Sequence, residues 1–261
     1  AAQAFEKLIR EFPQSSLARK AGIQLGLLYY NDNQPEKALA AYKNVISNYP
    51  GSEEAKVALQ DLKSVYIDLN DINAYANYVN SLGGNIRLEV SEQDSLTYIA
   101  AEKLFMRGDN DGARRSLVNY LQTFPEGAFS SNANFYLGSI AFAKKEFDEA
   151  IQRFKSVIAS GDTKFLEESV ARTAEIEYLG KDYPAALESF KRLQVVAESP
   201  ENKQAARLGI MRCALQTGQQ KDALLAADEL LKEPKLSPEL EAEARYVRAS
   251  RRPSGLRKTK G

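Results

Sequence analysis

An all-α chain of stacked helical hairpins is what this sequence predicts, and three observations carry the prediction. First, an Ala followed four residues later by a bulky or apolar residue recurs seven times, as Ala1/Phe5, Ala38/Tyr42, Ala74/Tyr78, Ala113/Leu117, Ala150/Phe154, Ala186/Phe190 and Ala223/Ala227. Successive Ala positions are 37, 36, 39, 37, 36 and 37 residues apart. Self-similarity at that period marks units that cannot bury their apolar faces alone and must stack on their neighbours. Second, apolar residues between the markers keep a helical period and are broken by short Asn, Gly and Asp segments. Third, no run alternates as paired strands would; Ile86-Arg87-Leu88-Glu89-Val90 alternates alone, after Gly83-Gly84, and reads as an extended connection.

Each helix has a local reason. The span 1–12 carries Phe5 and Leu8 and stops at Phe12-Pro13; 15–31 carries Leu25-Gly26 and Tyr29 and breaks at Asn31-Asp32-Asn33. Pro35 opens 35–48, where a missing N–H costs nothing, and Tyr49-Pro50 ends it. Spans 52–69 and 71–82 follow, the latter the most degenerate of the set. Beyond the 83–91 connection, 92–107 carries Ala100-Ala101 and Leu104 and breaks at Gly108-Asp109-Asn110; 110–123 stops at Phe124-Pro125. Leu137-Gly138 and Ala141 mark 128–144, and Ala150/Phe154 marks 147–159. Thr173-Ala174 and Glu177 mark 163–179, Gly180-Lys181-Asp182 breaks it, and Pro184 sits in the first turn of 183–197. Ser199-Pro200-Glu201 and Ser237-Pro238-Glu239 read as cap, first-turn Pro and an acid on the positive helix end, opening 200–217 and 238–249. The first of these carries Ile210-Met211 and Ala214 and breaks at Thr217-Gly218-Gln219 before 220–232. Small residues such as Gly26, Ala101, Gly138 and Ala174 let the two helices of a hairpin approach where Leu would block them.

Charge and composition narrow the function. Hydrophobic residues make up 44% and charged residues 27%, enough apolar material for a folded protein and too little net charge for disorder. All 35 acids precede position 248, and six basic residues follow Val247, so the body carries 29 basic against 35 acidic residues, a net of −6. That balance argues against nucleic acid, which needs a basic face. There is no His and no Trp, and Cys213 is the single Cys, so a disulfide framework, a Cys/His zinc site and a His-dependent nucleophile are all excluded within one chain. Cys213 reads as a small buried apolar residue. No segment approaches the roughly 18 apolar residues of a membrane span. Ala1, Phe5 and Leu8 read as the second helix of a hairpin whose first helix lies upstream, so the chain is expected to be a segment of a longer array.

The expected organisation is 1–82, N-terminal hairpins with the first incomplete; 83–91, the connection, where the 39-residue step also falls; 92–249, C-terminal hairpins; and 250–261, a basic, disordered tail. For the tail a frayed end or an expression remnant is weighed above a docking arm.

Leu25, Gly26, Tyr29, Ala38, Tyr42 and Pro50 match in order and spacing the consensus of the tetratricopeptide repeat, a unit of about 34 residues, and Leu137, Gly138, Ala150 and Phe154 match it again. The usual Trp near the start of the unit is missing throughout. The extra residues fall after the Pro stop, as in Phe12-Pro13-Gln14-Ser15-Ser16-Leu17-Ala18 and Tyr49-Pro50-Gly51-Ser52-Glu53-Glu54-Ala55. That lengthened junction resembles the tetratricopeptide proteins of the bacterial cell envelope, of the Tol–Pal accessory coordinator and outer-membrane assembly lipoprotein type. The resemblance implies a right-handed α–α superhelix, a solenoid, whose first helices line a concave surface that binds protein or peptide partners, with no chemistry of its own and no cofactor.

On that resemblance, the concave positions fall on Ile23, Leu27 and Tyr30; Tyr98, Glu102 and Phe105; Phe135, Ser139 and Phe142; Ala171, Glu175 and Tyr178; and Leu208, Arg212 and Leu215. The expected partner-binding groove is Tyr98, Phe105, Phe135, Tyr136, Phe142, Arg172, Glu175, Tyr178 and Arg212. Aromatic rings supply large contact area and the arginines can pair an acidic partner. Against this stands packing of the same rings between helices and local ion pairs for the same arginines. No Lys or Asn stands at the outer positions where some such grooves grip a C-terminal carboxylate, so a chaperone-tail clamp is not expected. Glu53-Glu54 and Glu167-Glu168 are adjacent and do not share a helix face. Gly83-Gly84 is a bend rather than a phosphate loop, and Asp109-Asn110-Asp111 lacks the spacing of a calcium loop.

These observations predict a non-enzymatic interaction scaffold in a bacterial envelope complex, periplasmic or outer-membrane-associated through partners or an upstream part, with self-association open at the ends of the array. The alternatives are a cytoplasmic adaptor or co-chaperone, and the recognition arm of a larger enzyme.

Overall fold

The computed structural model describes residues 1–84, 86–161 and 164–250; the basic run 251–261, most of the expected tail, lies outside them. Among the described residues there are helices and no strands. They are α1 (Ala2–Glu11), α2 (Ser16–Asn31), α3 (Pro35–Asn48), α4 (Glu53–Asp68), α5 (Ile72–Ser81), α6 (Val90–Met106) and α7 (Asn110–Thr123). Then come α8 (Ser130–Ala143), α9 (Phe147–Ser160), α10 (Leu166–Leu179), α11 (Tyr183–Val196), α12 (Pro200–Gln216), α13 (Gln220–Leu230) and α14 (Pro238–Ala249). The fold is an all-α solenoid of helix hairpins. Its helices divide into two compact units, Ala1–Ser130 and Ser131 onward. Three helix starts move by two or three residues from the sequence expectation. α6 begins at Val90, inside the expected connection, with Glu89 as its extended cap; α8 begins at Ser130 and α10 at Leu166.

Five of the hairpins are held closed by size complementarity between positions sixteen residues apart; in α4–α5 the same places hold Leu62 and Tyr78, both large. A Cβ on Gly26 would lie 2.4 Å from a ring carbon of Tyr42, and one on Gly138 would lie 2.8 Å from Phe154. Both rings are buried. Ala101 and Leu117, and Ala174 and Phe190, take the same two places and are buried too. In α12 and α13 the sizes are exchanged: Met211 occupies the small place and Ala227 the large one, both fully buried in one core cluster. That exchange explains why Ala223/Ala227 lacks the bulky partner of the other pairs. Phe190 is gripped from a second side as well, because a Cβ on Gly209 of α12 would meet its ring at 2.4 Å.

The turns inside the hairpins repeat as faithfully as the core. Asn33, Asn70, Gly108, Lys145, Lys181 and Gly218 all have left-handed backbone, at intervals of 36 to 38 residues. After each, an N–H reaches back to the helix just ended: Gln34 to Tyr29 O, Asp71 to Tyr66 O, Asp109 to Leu104 O, Glu146 to Ala141 O, Asp182 to Glu177 O and Gln219 to Ala214 O, all 2.8–3.0 Å. This is the Schellman closure, which satisfies carbonyls the helix end leaves open. The donating residue is also the N-cap of the next helix. Asp71, Asp109 and Asp182 complete that cap with a side-chain oxygen. In Gly180-Lys181-Asp182 the left-handed residue is Lys181, not the Gly.

The junctions between hairpins use the aromatic-Pro stop. Phe12, Tyr49 and Phe124 are C-caps with φ near −130° and ψ between 52° and 70°, out of the helical region as a following Pro requires. Ser15 and Ser52 then cap the next helix by accepting the N–H of Ala18 and Ala55. The Tyr49 hydroxyl donates to Pro13 O at 2.5 Å, tying one junction to the preceding one.

Two substitutions test this register with opposite signs. Gly26→Ala drives a methyl into a ring that cannot retreat, and is expected to lower stability by about 1–3 kcal/mol. Lys181→Gly relieves a left-handed β-carbon and is expected to raise it by about 1 kcal/mol. Urea unfolding followed by circular dichroism reads both.

Candidate partner-binding groove

In the second unit α10, α11 and α12 surround a cleft of about 400 Å³. Its floor is apolar, from Ala171, Tyr178 and Leu179 on α10, Phe190 and Leu193 on α11, and Ala205 and Leu208 on α12. Leu179 is 56% exposed, so the apolar surface continues out of the cleft. Tyr178 is oriented by edge contacts with Tyr183 and Phe190, at 5.7 and 6.3 Å between centroids. Glu168, Arg172, Glu175 and Arg212 form the polar rim.

The helical period of α10 places Glu168, Arg172, Glu175 and Leu179 along one stripe. Arg172 donates to Glu168 at 2.8 Å and to Glu175 at 3.0 Å, and its guanidinium lies 4.7 Å over the ring of Phe142. Arg212 makes a two-pronged bond to Glu243 of α14, 2.8 Å on each prong. Its hydrogen bonds to Glu243 push the guanidinium pKa up, and the same bonds hold the Glu243 carboxyl below its ordinary value against the opposing effect of burial. Both arginines are therefore fixed in direction by carboxylates of this chain.

Of the expected groove residues, Arg172, Glu175, Tyr178 and Arg212 meet at this cleft, and Phe142 joins them beneath Arg172. Tyr98 and Tyr136 are corrections: both are core. Tyr98 is 2% exposed, stacked on Phe129 at 4.5 Å and edge-on to Tyr120 at 5.8 Å. The loop bearing Phe129 is pinned there by buried Asp94, which accepts the Tyr120 hydroxyl at 2.5 Å and the Ala128 N–H at 2.9 Å. Tyr136 is 7% exposed and meets Phe135 and Phe165 edge-on. Phe135 is half-buried and stacked on Phe165 at 4.2 Å. Phe105 is half-buried and lies in the first unit. The covering rings Phe129 and Phe165 come from junction loops, which a count along the first helices does not reach.

Glu167 and Glu168, adjacent in sequence, do separate work. Glu168 holds Arg172. Glu167 turns the other way and caps the start of α12: it accepts the N–H of Glu198 and of Ser199, the Ser199 hydroxyl, and the Asn202 side-chain amide at 2.7 Å. These donors, the Glu198 N–H foremost, bring its pKa down to about 2. Glu167 thereby fixes α12, and with it Leu208 and Arg212, relative to α10.

The first unit carries a polar line across its own first helices. Asp68 of α4 accepts the Tyr30 hydroxyl from α2 and the Lys103 ammonium from α6. Burial pushes the Asp68 carboxyl up, and the bonds from Lys103 and Tyr30 outweigh it and leave it lowered. The bond to Asp68 raises the Tyr30 phenol to about 12. Lys63 pairs with Glu92 at 2.8 Å. Among the described residues no group of three or more His, Cys, Asp or Glu is placed to hold a metal, and no helix is long and apolar enough to cross a membrane.

Residues 21–52 match one tetratricopeptide repeat family model and residues 100–163 match another. No curated protein matches the chain. Among solved structures, the C-terminal part of a TPR repeat-containing protein from Cytophaga hutchinsonii is 13% identical and superposes with a TM-score of 0.51 over 92% of this chain and 92% of that one. It shares the fold. PilF of Pseudomonas aeruginosa is 18% identical over 87% of this chain and 97% of its own, with a TM-score of 0.45. PilW, described as a widely conserved type IV pilus biogenesis factor, is 15% identical over 88% and 99%, with a TM-score of 0.44.

The Glu167 cap gives a pH prediction. A depressed carboxyl contributes stability that is complete above its ordinary value of 4.5 and is lost as pH falls through about 2. Glu167→Gln is expected to be less stable than the parent at pH 7. The gap should close as pH falls from 4.5 toward 2. Urea midpoints at stepped pH measure it; a gap independent of pH contradicts the assignment.

Proposed function

We propose that this chain, a tetratricopeptide repeat protein, is a non-enzymatic scaffold that receives a segment of a partner protein in the α10–α12 cleft, within a bacterial envelope complex. The observation that carries the binding site is an apolar floor open to solvent between two arginines already fixed in direction. A receptor ordered before its ligand arrives spends little binding energy on ordering itself. With both arginines paired internally, the apolar floor supplies the attraction and the charged rim sets orientation and specificity. The envelope assignment is supported by the lengthened aromatic-Pro-x-Ser junctions, where Ser15 and Ser52 cap the following helix and Tyr49 bonds back to Pro13.

The test is site-specific photo-crosslinking in cells expressing the parent protein, with the crosslinker at Tyr178 or at Leu225, which lies on α13 and is 66% exposed. The expected result is a discrete crosslinked envelope protein from position 178 and none from 225. Equal labelling from both positions overturns the groove; a partner confined to the cytoplasmic fraction overturns the envelope assignment.

A further inference from the structure

We propose a second binding surface, a groove of about 500 Å³ on the first unit between α1 and α3, that takes a short acidic–apolar segment of a partner protein. The floor comes from α2 and is kept low by Gly22, which Val45 approaches so closely that a Cβ there would lie 2.4 Å from its methyl carbon. Leu25 and Ile9 supply apolar surface, and Ala40 and Ala41 on α3 leave the space that larger side chains would fill.

Charge decides what the groove accepts. Its rim holds Glu6, Arg10 and Lys37. The Glu6 carboxylate is engaged, accepting the Tyr29 hydroxyl at 2.5 Å. Lys37 lies 5.4 Å over the Tyr29 ring, and among the described residues neither Lys37 nor Arg10 takes part in an ion pair. The α10–α12 cleft differs, since its arginines are both tied to carboxylates. Arg10 and Lys37 outnumber the single Glu6 carboxylate, whose charge the neutral Tyr29 hydroxyl does not cancel, and a net positive rim over an apolar floor favours a large apolar side chain with Asp or Glu beside it. The chain's own residues 251–261 contain five cations and no acid, and so carry the wrong charge for the groove.

The test uses a short dye-labelled peptide with a central Leu between two Asp in a Gly/Ser background, beside versions with Lys for Asp and with Ala for Leu. Fluorescence anisotropy at low salt measures each against the whole chain. The Asp–Leu–Asp peptide is expected to bind about tenfold more tightly than either comparison peptide. The exposed double variant Arg10→Glu with Lys37→Glu should reverse the charge preference, and Ala40→Trp should block binding while circular dichroism stays unchanged. Tyr178→Ala should leave binding as it was. Equal affinity for the Asp and Lys peptides, indifference to both groove variants, or no binding of any peptide overturns the proposal. So does loss of binding in Tyr178→Ala alone, which would place the peptide in the α10–α12 cleft.

Discussion

Close approach of two helices at one crossing point is the constraint on which the structure depends. At Gly26 and Gly138 the partner ring sits where a β-carbon would be. Leaving that carbon out lets an aromatic side chain approach the opposite backbone closely enough for dispersion contacts that a side chain there would block. The pair is a volume rule rather than a residue rule. Met211 opposite Ala227 shows this, because a large residue has moved to the other helix and both stay fully buried. In five hairpins one small and one large side chain share the crossing, so the helices keep their spacing while the sequence drifts; the α4–α5 hairpin, with Leu62 and Tyr78 at the same two places, is the exception.

The turns carry the complementary constraint. Each hairpin reverses through a single left-handed residue followed at once by the N-cap of the next helix. So short a reversal leaves no slack, and the register of the second helix follows from the end of the first. Gly and Asn occupy the left-handed place in four hairpins at little cost, and Lys145 and Lys181 occupy it in two. The strained positions persist because the closing hydrogen bonds and the packed helices around them leave no other arrangement.

Much of this was legible in the residues. Among the described residues each of the fourteen helices overlaps the span that the Ala/aromatic echo, the Pro stops and the Asn/Gly/Asp breaks give it, with α6, α8 and α10 starting two or three residues away, because each signal is local: a ring that needs a small neighbour, a Pro that cannot continue a helix, a cap that needs an oxygen. The groove was less legible. Glu175, Tyr178 and Arg212, counted along the first helices, line one cleft, together with Arg172, which lies outside that count. Tyr98 and Tyr136 do not, because what buries a ring is decided by Phe129 and Phe165, which arrive from loops that have no period. Glu167 escaped for a related reason. Its partners lie 31 to 35 residues on, at the start of α12. An acid next to another acid gives no sign, in sequence, of facing four donors.

The central claim is that the register of α10 and α12, set by buried packing and the Glu167 cap, presents a ready cleft to a partner. Hydrogen–deuterium exchange of the parent protein, alone and with its crosslink-identified partner, tests this most directly. The account predicts slow exchange in α10 and α12 before the partner is added. It also predicts further protection confined to Glu168–Leu179 and Ala205–Arg212, with Gln220–Leu230 unchanged. Rapid exchange in α10 and α12 of the free protein, or protection falling elsewhere, would contradict it.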